Sequence, residues 1–184
     1  KLRDPWFITN DDNRDTFRNL ANPNTAKIIT DILKNSATGV HLKLAVLQAI
    51  ANSTEDLGLR EIVRDIVLEK HDNTWLRSTA LRAFAKSVQN NWVQMKALDD
   101  ALAQANDDLA APVVRIDLLR LTPVSGSLAL RVLSIMEQAA SAKQEQHIVG
   151  RFYSLIALPS DADLDTILDG ASLALIPKSE VGRQ

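Results

Sequence analysis

One pattern recurs along the chain at a nearly constant step. Lys43, Arg77, Arg115 and Arg151 are separated by 34, 38 and 36 residues, and Leu47, Leu81, Leu119 and Leu155 follow at the same steps. The clearest copy is Thr74 to Lys86, TWLRSTALRAFAK; His41 to Ser53, HLKLAVLQAIANS, matches it with Leu42 for Leu76, Lys43 for Arg77, Leu47 for Leu81 and Ala49 for Ala83. A fixed period of about 36 residues means supersecondary units that bury their apolar faces only against their neighbours. Each copy therefore reads as one layer of a helical solenoid.

Composition narrows the class further. Hydrophobic residues make up 46% of the 184 but aromatics only 4%, so the core must be built from Leu, Ile, Val and Ala, which suit helix packed on helix. The expectation is an all-α fold. With 21 Lys and Arg against 23 Asp and Glu, the net charge of −2 gives no long-range attraction to phosphate. That disfavours nucleic acid or an anionic membrane as partner, while leaving room for a local basic stripe. Cysteine is absent, which excludes disulfides and thiolate metal sites and fits a reducing, cytoplasmic setting. Apolar runs such as Leu155 to Leu158 fall far short of the roughly 18 residues a membrane span needs, and no signal-peptide pattern opens the chain. The start at Lys1 rather than Met, and the apolar stretch Leu173 to Pro177 close to the end, suggest a piece of a larger protein.

Residues 1–22 read as an N-terminal cap, with Trp6-Phe7-Ile8 plugging the first layer and a short helix carrying Phe17 and Leu20. Asn22-Pro23 reads as an N-cap followed by proline at the first helical position, with Ile28, Ile29, Ile32 and Leu33 at helical spacing up to Ser36. Ladder helices are predicted at 41–53, 74–86, 112–121 and 144–158, with partner helices at 59–70, 92–106 and 128–140 and a last helix at 161–175. The repeats would span 23–175, and 176–184 would be a tail.

The alternation of an apolar helix, an acidic turn and a helix opening on an apolar-basic pair, best seen in Asp72…Leu76-Arg77…Ala80-Leu81, resembles HEAT repeats of the armadillo-like class. The resemblance implies a right-handed α-α superhelix of four to five helix pairs. It also implies an Asp–Arg ladder along the spine, which would pair Asp72 with Arg77, and Asp107 or Asp108 with Arg115. The pattern weakens at Lys43, which has no acidic residue just before it, and at Gln144-Glu145, where the last repeat wants its turn Asp. More loosely, DNTWLRSTALRAFAK resembles the helical repeat arms of bacterial NACHT-type NTPases, which sense or hold a partner. None of the six glycines forms GxxxxGK or GxGxxG, so nucleotide chemistry is not expected within this chain.

The ladder residues Lys43, Arg77, Arg115 and Arg151 could track phosphates, but an arginine at the start of a solenoid helix is expected to bond a carboxylate or carbonyl between layers. Five residues further on, Gln48, Arg82, Arg120 and Ile156 should face away from the core. With Thr79, Asp117 and Tyr153 they would line the inner surface of the superhelix, where exposed Arg and Tyr favour contact with a partner. Trp75 and Trp92 open consecutive helices and are expected to staple their starts. His41, His71 and His147 share no metal-ligand spacing, so no metal site is expected. Asp161-Ala162-Asp163-Leu164-Asp165 opens like a calcium loop, but Thr166 stands where the loop needs Gly and Ser172 where it needs Glu. The adjacent pair Asp99-Asp100 cannot face each other as an acid/base couple.

No catalytic set emerges and no cofactor is implied. The function expected is a non-catalytic protein-binding scaffold or sensing arm with an unnamed protein partner. A HEAT-like DNA-binding or DNA alkylation repair domain is the alternative, and a pure spacer a third reading.

Overall fold

Local chemistry sets where each helix starts and stops. The computed structural model describes residues 20–71, 73–105, 107–121 and 128–141. Within them lie seven α-helices and no strand: α1 (Ala26–Lys34), α2 (Val40–Asn52), α3 (Arg60–Leu68), α4 (Thr74–Ser87), α5 (Trp92–Gln104), α6 (Ala111–Leu121) and α7 (Leu128–Ser141). The fold is all-α among the described residues. The expected N-terminal cap before Leu20, the ladder helix at 144–158, the helix at 161–175 and the tail lie outside them.

Six of the seven helices begin and end within a few residues of the positions their apolar spacing predicts. The exception is the start of α1. Pro23 does not open the helix; Asn22 to Thr25 form a turn, in which Asn22 Oδ1 accepts from the Asn24 N–H at 3.0 Å and the Thr25 hydroxyl donates to the Leu20 carbonyl at 2.6 Å. The Asn22 side chain, which an Asn-Pro pair would offer as a cap, is used within that turn, and the helix starts at Ala26.

The chain divides into two compact units, Lys1–Leu98 and Asp99–Gln184, with the boundary inside α5. In the first, α4 is central and packs on both α2 and α3, while α1 packs on the same two helices. Nine of the fourteen residues of α4 are buried, so its modest amphipathicity reflects a helix covered on most of its circumference. Leu47, Leu81 and Val63 are sealed completely, each burial contributing about 2 kcal/mol. Small residues let the helices approach: Ala80 and Ala83 are fully buried on α4. Ser53 closes the layer from the side, its hydroxyl donating to the Ala21 carbonyl at 2.8 Å, 32 residues away.

In the second unit α6 packs on α7 through Val113, Ile116, Leu119, Leu128, Val132 and Ile135, with Met136 partly buried against them. None of the helices among the described residues is long and apolar enough to cross a membrane.

Candidate interaction surface

The repeat register places Arg77 and Arg115 at equivalent points of α4 and α6, and the structure gives them the same treatment. Arg77 has no exposed surface and Arg115 only 3%. A buried guanidinium needs acceptors for its fork of N–H groups. Arg77 Nε donates to the Val67 carbonyl at 2.9 Å, one of the carbonyls that the end of α3 leaves without a partner in its own helix. The approach is fixed by the turn before α4, where the Asn73 side chain accepts from the Leu76 N–H and the Asn73 N–H donates to His71 Nδ1.

Arg115 reaches a carboxylate instead. Its Nε donates to Asp99 Oδ1 at 2.9 Å, Nη1 to Gln138 Oε1 at 2.9 Å and Nη2 to Ser134 Oγ at 3.3 Å. Arg131 Nε donates to the other oxygen of Asp99 at 3.3 Å. Gln138 closes the network by donating to the Leu102 carbonyl at 2.9 Å, in the last turn of α5. One amide side chain therefore satisfies an end of α5 and an arginine of α6 from its position on α7.

The acid of this ladder is thus Asp99, one helix upstream of the turn carboxylates named for it in the sequence. Asp108 is buried and its Oδ1 accepts from the Ala110 N–H at 3.1 Å, shaping the entry to α6; Asp107 is exposed. Lys43, the α2 counterpart, is half-buried. Asp72 and Arg151 lie outside the described residues, so the Asp72–Arg77 pair does too.

Of the residues expected on the contact face, Arg82 and Arg120 are exposed. Arg120 lies 3.9 Å from Asp117, which is half-buried. Thr79 must be withdrawn from the face: it is only 3% exposed, and its hydroxyl donates to the Trp75 carbonyl at 2.9 Å. It sits between Leu76 and Ala83 on the buried side of α4, where a β-branched residue packs and bonds back to its own helix. Tyr153 is outside the described residues. Trp75 and Trp92 are both half-buried. No group of three or more His, Asp or Glu side chains among the described residues could hold a metal ion.

Asp99, Arg131, Ser134 and Gln138 were not identified from the sequence, although a signal existed. Met95, Leu98, Asp99 and Leu102 follow the i, i+3, i+4, i+7 pattern of a buried helix face, and all four are buried. A carboxylate on such a face requires a cation, and Arg131, Ser134 and Gln138 form one polar stripe on α7 beside its apolar one. Compared with known proteins, the chain matches no family model, no curated protein and no solved structure.

Proposed function

We propose that the chain is a non-catalytic, protein-binding scaffold module built as a HEAT-like, right-handed α-α superhelix. The observation that carries this reading is the double use of one register. On α4 and on α6 the ladder arginine is buried and bonded back to the preceding helix, and five residues later a second arginine, Arg82 or Arg120, stands in solvent. In the first unit, moreover, α1 packs on α3 and α2 on α4, the contacts expected when two helix pairs stack in two layers. A helix that spends its buried face on packing and carries an exposed arginine offers a partner a pre-ordered anchor, so little ordering entropy is lost on binding.

The module would act as an arm of a longer, bacterial, cytoplasmic protein, with any nucleotide chemistry elsewhere. The test places a photo-crosslinking residue at 82 and at 120 in the source cell, with exposed Lys96 as the comparison site. The expected result is one shared protein product from 82 and 120 that is absent from 96. Equal labelling from all three positions would count against the reading, and crosslinks to DNA would favour the alkylation-repair alternative.

A further inference from the structure

The turn into α4 is closed by a ring nitrogen. His71 Nδ1 accepts from the Asn73 N–H at 2.9 Å, two residues further on. Four other turns make the same i to i+2 bond with an oxygen: Asn22 with the Asn24 N–H, Asn35 with that of Ala37, Asp56 with that of Gly58 and Asp108 with that of Ala110, at 3.0, 2.9, 2.9 and 3.1 Å. An amide or carboxyl oxygen keeps a lone pair for such a bond in either protonation state. An imidazole nitrogen accepts only while it carries no proton, and both ring nitrogens are donors once the ring is charged. Histidine is also the side chain whose charge ordinarily changes between about pH 5 and 8.

The start of α4 depends on Asn73. Its side chain accepts from the Leu76 N–H at 3.0 Å and its carbonyl from the Arg77 N–H at 3.4 Å. These bonds set the first turn of α4, from which the Arg77 guanidinium reaches the Val67 carbonyl. His71 is half-buried, so solvent protons reach it, and the bond to Asn73 is its only hydrogen bond among the described residues. Its charged neighbours along the chain are Glu69, Lys70 and Asp72. Among the described residues no charged side chain of α1, α2, α3 or α4 is ion-paired or hydrogen-bonded to the ring. The Asn73 N–H is therefore the group that a proton on Nδ1 meets.

We propose that His71 is a proton-operated latch on the start of α4. With the ring neutral and its proton on Nε2, the turn is held closed. Protonation of Nδ1 sets N–H against N–H, and the ring moves away from Asn73. The new charge adds to the effect, because a cation ahead of a helix N-terminus opposes the positive end of the helix dipole. The latch thus holds above the histidine range and is lost as pH falls through it. Because α4 packs on both α2 and α3, acidification loosens the entry to the central helix of the first unit, while the far end of α4 keeps its own bonds, such as Val88 N–H to the Phe84 carbonyl at 3.0 Å.

The experiment follows the whole chain by NMR from about pH 8 to about pH 5.5, across the range in which histidine titrates. At the upper end, long-range proton–nitrogen correlations should place the His71 proton on Nε2. On acidification the Asn73 amide signal should move with the same midpoint as the His71 ring signals. Amide exchange, divided by the intrinsic rate at each pH, should rise about 2- to 12-fold at Asn73, Leu76 and Arg77, the equivalent of one hydrogen bond, and stay flat at Val88. His71→Asn supplies an oxygen that reaches the same N–H without titrating, so it should keep the protection and abolish the pH dependence. His71→Ala should show the faster exchange at every pH. A His71 proton on Nδ1 at the upper end, an Asn73 amide that does not follow the ring, or the same acid response in the His71→Asn chain would each overturn the proposal.

Discussion

Asp99 holds two guanidiniums at 2.9 and 3.3 Å while itself only 4% exposed, and this geometry makes it the most sensitive single residue of the second unit. Replacing a buried ion pair wholesale by apolar groups is often harmless, but removing one partner strands the other's charge. Asp99→Asn keeps the volume and strands two charges, so it should lower the unfolding free energy by about 3–5 kcal/mol, read as a fall in the urea midpoint. The comparison is Asp117→Asn, whose 3.9 Å pair with the exposed Arg120 is worth at most about 1 kcal/mol. A smaller loss at Asp99 than at Asp117 would show that the network is ornamental. At Gln89 the effect should have the opposite sign. Its φ of 51° costs a side-chain-bearing residue strain that glycine avoids, so Gln89→Gly should stabilise by about 0.5–1 kcal/mol and raise Tm by a few degrees in a thermal scan. An unchanged or lowered Tm would mean that the Gln89 side chain contributes more in place than the backbone strain costs.

At the scale of single helices, α4 shows what the repeat pattern made legible and what it did not. The register of Leu76, Leu81 and Ala83 located it and its buried side, and the step from Arg77 to Arg82 separated an inward from an outward arginine. Thr79 belongs to that same side, three residues after Leu76 and four before Ala83, so its burial followed from the helical period, and its placement on the contact face overlooked that spacing. Packing in three dimensions hid Asp99 as the partner of Arg115: sequence proximity favoured the turn carboxylates Asp107 and Asp108, whereas a side chain crossing between packed helices reaches an acid 16 residues away. Close approach gives α4 a clear signature under substitution. Ala83→Leu inserts volume where neighbours already fill the space and should cost about 1–3 kcal/mol. Arg82→Ala, one residue earlier and exposed, should stay within about 0.5 kcal/mol. If chemical denaturation finds the two equally mild, α4 is less tightly enclosed than its burial indicates.

For the whole molecule the question is whether stability is shared or local. A single continuous core loses protection everywhere when one of its buried residues is damaged, whereas stacked repeats respond mainly in the damaged unit and its nearest neighbour. The two ladder arginines give matched probes, because each is buried and bonded within its own unit. Arg77→Met retains much of the apolar stem but strands the Val67 carbonyl, which should cost about 1–3 kcal/mol. Native-state hydrogen exchange should then show α2 and α4 exchanging roughly 5- to 150-fold faster, the population equivalent of that loss, with α6 and α7 changed by less than about threefold. Asp99→Asn should give the mirror image, with α6 and α7 losing protection and α2 and α4 keeping theirs. Uniform acceleration in both variants would instead mean one cooperative core, in which the period of about 36 residues repeats helices without repeating folding units, and the stacked-repeat architecture on which the scaffold proposal depends would have to be given up.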